Sequence, residues 1–108
     1  MKTLNETFRK NGLQYNLVKR NDLVAMYSVG GTYTDKIIHY EVCKIVFNEE
    51  YTMHGNIIPA GESIPGNEQF GKELSQAYPA RDYEIALKYF DELTSILKTR
   101  AEAKLTHT

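Results

Sequence analysis

The chain has 108 residues, 42% of them hydrophobic and 25% charged, and a formal net charge of −1. That length describes a single α+β-sized domain, residues 1–108, with a modest core that needs no covalent staple. Its single cysteine excludes an internal disulfide framework. No apolar run approaches the roughly 18 residues of a membrane span, and the opening MKTLNETFRKNG has no apolar core of a secretory signal, so cytoplasm is the expected compartment and no membrane partner is expected.

Charge is unevenly spread. Residues 1–20 carry five basic and one acidic side chain, whereas residues 41–92 carry ten acidic and four basic ones. An acidic middle argues against nucleic acid as the main partner, since phosphate binding needs a basic footprint. It argues for a partner with a basic surface.

In chain order, Thr3-Leu4-Asn5-Glu6 has capping-box spacing, Leu4 and Phe8 share a helical face, and Asn11-Gly12 supplies a stop. This predicts a short helix or arm over residues 1–11. From Leu13 the period becomes two: Leu13, Tyr15 and Leu17 alternate with polar neighbours as in a strand. After the polar turn Lys19–Asp22, residues 23–29 form a second strand and complete a hairpin. Gly30-Gly31 ends it, and a loop follows that carries Tyr33.

Residues 37–47, IIHYEVCKIVF, are rich in β-branched and aromatic residues and contain no Gly or Pro, as a central strand requires. Tyr40 and Val42 fall on one face, and His39, Glu41, Cys43 and Ile45 on the other. Asn48-Glu49-Glu50 is a turn, and residues 51–58 are the expected return strand of a second hairpin. PAGESIPG is a surface loop. Asn67 to Tyr78 has Phe70, Leu74, Ala77 and Tyr78 at helical spacing and predicts a short helix, closed by Pro79. The strongest helix is DYEIALKYFDELTSIL, residues 82–97: Ile85, Ala86, Tyr89, Phe90, Leu93, Ile96 and Leu97 form one apolar face. Residues 99–108 lose that stripe and are expected to fray.

The expected architecture is a four-stranded antiparallel sheet of two hairpins, with the long C-terminal helix and the shorter preceding one on one face. The expected core is Leu17, Val24, Met26, Val42, Ile45, Phe47, Phe70, Leu74, Ile85, Tyr89, Phe90, Leu93 and Leu97.

The chemistry is sparse. His39 and Cys43 lie about 13 Å apart along one strand, too far to share a metal ion. Cys43 reads as a small inert core residue rather than a nucleophile, with His54 as its only prospective activator. No serine sits in a Gly-x-Ser-x-Gly elbow, and GESIPG lacks the Gly-Lys-Ser/Thr ending of a P-loop. The carboxylate pairs fall on turns and on the polar helix face. No catalytic residue, metal or cofactor is expected. Tyrosine stands out, with eight residues against no tryptophan. Tyr40 and Tyr89 read as structural; Tyr33, Tyr51 and Tyr83 lie near turns or helix starts, where a half-wet ring suits a contact surface.

The segments YEVCKIVF, HGNIIPAGESIPGNEQFGKELSQAYPA and YEIALKYFDEL resemble small uncharacterised proteins encoded in gut-bacterial genomes and their phages or mobile elements. The shared pattern is a Tyr-Glu-Val strand, a Pro-rich acidic loop, Phe-Gly and an aromatic-rich helix. The resemblance implies no established activity; an accessory or host-inhibitory role is what it suggests. The helix is also similar to that of the WGR nucleic-acid module, but the Trp-Gly-Arg signature is missing.

Two functions follow as expectations. The first is a non-enzymatic protein-binding protein whose acidic surface, built from Glu49, Glu50, Tyr51, Glu62, Glu68 and Glu73 with Tyr33, docks on a basic partner. The second is a nucleic-acid module in which Lys2, Arg9, Lys10, Lys19 and Arg20 contact phosphates and Tyr15 or Tyr27 stacks on bases. Self-association through a sheet edge or helix face is compatible with both.

Overall fold

A computed structural model describes residues 2–34, 36–64 and 75–106. The protein is an α+β structure with a sheet of five antiparallel strands and one C-terminal helix. The strands are β1 (Thr7–Lys10), β2 (Leu13–Arg20), β3 (Val24–Gly31), β4 (Ile37–Lys44) and β9 (Ser75–Pro79), in the spatial order β1-β2-β3-β4-β9. Helix α1 spans Tyr83–Thr106. Four shorter strands lie between β4 and β9: β5 (Val46–Asn48), β6 (Tyr51–Met53), β7 (Asn56–Ile58) and β8 (Gly61–Ser63).

The expected N-terminal helix is a strand. Asn11 and Gly12 both have positive φ, 53° and 76°, as the two central residues of a mirror-image hairpin turn require, and they fold β1 back on β2. Phe8 therefore lies opposite Tyr15 and stacks on it with ring centroids 4.6 Å apart. The capping-box spacing at Thr3 and Glu6 loses because the strand buries an aromatic pair, whereas one helical turn would leave Phe8 without a partner.

The expected helix over residues 67–78 is also corrected where it is described. Ser75–Pro79 is the edge strand β9, paired antiparallel with β4 from His39↔Pro79 to Cys43↔Ser75. The rest of that segment, with Gly71, Phe70 and Leu74, lies outside the described residues. The second expected hairpin does not form either: β4 pairs with β3 and β9, and residues 51–58 pair with themselves. At the other end, α1 continues to Thr106, past the expected end of the helix.

The sheet has an apolar cluster on each face. On one face α1 packs over β3, β4 and β9, and Val24, Met26, Tyr40 and Val42 meet Ala86, Phe90, Leu93 and Leu97. These four helical positions, spaced four, three and four apart, form a narrower seam than the whole apolar stripe. Ile85 is consequently 53% exposed, and Ile96 is exposed as well. On the other face Tyr15, Ala25, Tyr27, Val29 and Ile45 gather, with Leu4, Phe8, Leu17 and Ile64 against them. Of the expected core, Val24, Met26, Val42, Ile45, Phe90, Leu93 and Leu97 are buried, Leu17 and Tyr89 partly so, and Phe47 is exposed.

Asn21 links sheet and helix. Its side-chain oxygen accepts from the backbone N–H groups of Leu23 and Val24, closing the β2–β3 turn, and its amide donates to Thr94 Oγ1 on α1 at 3.0 Å.

Candidate functional site

Strands β5 to β8 form one continuous β-ribbon. Pairing runs from Val46↔Ser63 through Asn48↔Gly61, breaks, and resumes from Tyr51↔Ile58 to Met53↔Asn56 without change of register. The break sets Glu49 and Glu50 opposite Ala60 and Pro59, and proline has no N–H to donate to a ladder. The tip is a second mirror-image turn, His54-Gly55, with φ of 51° and 79°.

The base of the ribbon is clamped and the rest is free. Arg20 donates two hydrogen bonds to the Glu62 carboxylate, Nη1 to Oε1 at 2.7 Å and Nη2 to Oε2 at 2.9 Å. The Leu4 N–H donates to the same carboxylate. Lys2 lies alongside Gly61, donating to Ala60 and accepting from the Glu62 N–H. A Cβ on Gly61 would stand 2.8 Å from Lys2 Cβ, so the close approach requires glycine. The Arg20 guanidinium holds the Glu62 carboxyl below its ordinary range. Beyond this clamp every residue from Phe47 to Ile57 is exposed. Phe47, Tyr51, Met53 and Ile57 are large apolar side chains in the open, Ile57 at 69% exposure.

The residues singled out from sequence thus have different fates. Glu49, Glu50 and Tyr51 lie together, exposed, midway along the ribbon. Glu62 is not a free surface acid: its side chain is 12% exposed and committed to Arg20. Tyr33 is 93% exposed, but it lies on the β3–β4 connection, at the opposite end of β4 from the ribbon, about 24 Å of strand away. Glu68 and Glu73 lie outside the described residues. Sequence reasoning missed Met53 and Ile57 and assigned Phe47 to the core. The signal was present in Met53-His54-Gly55-Asn56, a two-residue turn between short apolar runs.

A second polar cluster lies on the sheet face away from α1. Glu41 Oε2 accepts from Tyr15 Oη at 3.0 Å and is 2.8 Å from His39 Nε2. Among the described residues, neither Glu41 Oε1 nor Ser75 Oγ, both buried, has a hydrogen-bond partner. Burial, followed by the Glu41 charge, pushes the Cys43 thiol up to about 12, so at neutral pH it is protonated and a poor nucleophile. His54, its only prospective activator, is at the ribbon tip. Burial likewise pushes Tyr27 up to about 12.

Four of the residues expected to bind nucleic acid are engaged in the fold, whereas Lys2 and Arg9 are exposed. Tyr15 and Tyr27 are 3% and 1% exposed, so neither ring is open to a base. Tyr27 Oη donates to the Asn5 carbonyl. Arg20 is held by Glu62, and Lys19 Nζ lies 4.7 Å over the Phe90 ring and 3.9 Å from Asp91.

Comparison with protein-family models, with curated proteins and with solved structures finds no match to this chain. Function must therefore be read from the residues themselves.

Proposed function

We propose that this chain is a small, non-enzymatic, cytoplasmic binding protein that docks on another protein through its β-ribbon. The observation that carries this reading is the unbroken exposure of residues 47–57. Four large apolar side chains there flank Glu49 and Glu50, and residues 46–63 contain no Lys or Arg. Glu49 and Glu50 have no ion-pair partner among the described residues. An isolated two-stranded ribbon is at best marginally stable in water. A partner that covers Tyr51, Met53 and Ile57 would order it while burying area suited to interfaces. The two free carboxylates steer the ribbon toward a basic rim and suppress acidic competitors. The partner is accordingly a protein with an apolar depression edged by Lys or Arg. A phage or mobile-element accessory or inhibitor acting on a host protein fits such a device.

The test is affinity capture from a lysate of the encoding organism, at low and high salt, with nuclease, using the native chain and the Glu49→Lys/Glu50→Lys double variant. The expected result is a protein recovered after nuclease, lost at high salt and lost with the double variant. Recovery indifferent to both salt and charge reversal would sink the reading, and recovery of nucleic acid alone would replace it with the nucleic-acid function.

A further inference from the structure

We propose a second binding site, for an uncharged saccharide, in the cleft at the far end of the sheet from the ribbon. The helix side of the sheet is covered only in part. α1 packs over β3, β4 and β9, while Gln14 and Asn16 on β2 lie opposite Gly30 and Ser28 on β3. There the face changes from apolar to polar. Gln14, Asn16, Ser28, Thr32, Thr34 and Lys36 line a surface cleft, with Gly30, Gly31 and the apolar Ile37 beside them.

Two backbone features build this cleft. The β3–β4 ladder shifts register between Val29 and Gly30, which interrupts regular pairing at the cleft. A Cβ on Gly30 would stand 2.5 Å from the Lys36 carbonyl oxygen, so only glycine admits this close approach of the Lys36 backbone at the cleft. Helix-side residues farther along β3, Val24 and Met26, are large and buried under α1, whereas Ser28 and Gly30 are small.

The lining selects the ligand. Side-chain amides and hydroxyls each combine donor and acceptor capacity, which matches neighbouring sugar hydroxyls, groups that do both. Among the described residues no carboxylate lines the cleft, and Lys36 is the only charged side chain that does. One exposed ammonium is a poor basis for an anion site but a good third donor to hydroxyl oxygens. The Gln14 amide makes long contacts: Nε2 donates to the Tyr15 carbonyl at 3.3 Å and to Asn16 Oδ1 at 3.4 Å, and Oε1 accepts from Arg9 Nε at 3.4 Å, so a ligand can outcompete them. Between the two lining threonines stands Tyr33, the most exposed of the large apolar side chains. Tyr33 does not itself line the cleft, but its open ring, on the same loop as the two threonines, is available to the C–H face of a pyranose whose edge hydroxyls are bonded in the cleft.

The site is independent of the ribbon, and the test separates the two. Amide chemical shifts of the full chain are followed by NMR during titration with maltotriose, cellotriose and triacetylchitotriose, and separately with inorganic phosphate. At least one sugar is expected to produce saturable shifts at Asn16, Gly30, Gly31, Thr32 and Thr34. Asn16→Ala should weaken that sugar about tenfold and Tyr33→Ala about three- to tenfold, with the α1 resonances unmoved. The Glu49→Lys/Glu50→Lys variant should bind it like the native chain. The proposal is overturned if no sugar shifts these amides at concentrations of about 10 mM. It is equally overturned if Asn16→Ala binds normally while folded, or if phosphate alone moves the same amides.

Discussion

The five-stranded body and the β-ribbon use the same local device to different ends. Each contains a mirror-image two-residue turn, Asn11-Gly12 in the body and His54-Gly55 in the ribbon, with nearly equal φ values. In the body the turn brings Phe8 onto Tyr15 and Tyr27, rings 4.6 and 5.2 Å apart, so the hairpin is sealed by burial. In the ribbon the turn brings Met53 to Asn56 and Thr52 to Ile57, and all four stay exposed. Identical turn chemistry therefore yields a piece of core in one place and an available surface in the other. What differs is whether a second layer lies over the strands.

Substitutions can break this contrast at several strengths. The largest effect is expected from Leu93→Ala, which removes a fully buried side chain from the seam between α1 and the sheet. The loss should be about 3 kcal/mol, read as a fall in the denaturant midpoint. Arg20→Ala comes next, because it removes the side-chain half of the clamp between ribbon and body and leaves Glu62, whose side chain is 12% exposed, without its cation. A cost of about 1–2 kcal/mol is expected, with faster amide exchange in β5 and β8.

The same pair makes a pH prediction. The Glu62 carboxyl has its pKa lowered in the folded protein, chiefly by hydrogen bonding to Arg20. Its contribution is therefore complete above the ordinary carboxylate value and is lost as the pH falls through the lowered one. The native chain should lose this increment on acidification and Arg20→Ala should not, as compared by denaturant midpoints along a pH series.

A finer comparison sets Gly12→Ala against Gly55→Ala. Both force a Cβ into a left-handed conformation, with φ of 76° and 79°, and neither Cβ meets a neighbouring atom within 4 Å. Each substitution strains its turn by about 1 kcal/mol. Only Gly12→Ala should move the global unfolding midpoint. Gly55→Ala should loosen the ribbon tip, seen as lost cross-strand NMR contacts between Thr52 and Ile57, with the midpoint unchanged. The smallest effect on stability belongs to Tyr51→Ala and Ile57→Ala, each within about 0.5 kcal/mol. If either lowered the midpoint by as much as Leu93→Ala, the ribbon would be core and its docking role would fail.

Local pattern determined much of this protein. The period-two alternation of β2, the uniform β-forming composition of β4 and the stripe on α1 each identify an element, because propensity and periodicity are properties of neighbouring residues. The exposure of Glu49, Glu50 and Tyr51 was legible for the same reason, in a polar turn beside a short strand. Even the hairpin at Asn11-Gly12 was written locally, and was masked by a competing helix signal at Thr3 and Glu6. Tertiary structure alone decided the rest. That Ser75–Pro79 is a strand rests on its pairing with β4, more than thirty residues earlier in the chain. That Glu62 is a structural anion rests on Arg20, which the fold brings to it from 42 positions away. Phe47 has the character of a core residue and lies exposed because no other element among the described residues covers the ribbon. Side-chain chemistry and spacing specify what a segment can become; the free energy of burial, which depends on what the rest of the chain lays over it, selects among those outcomes.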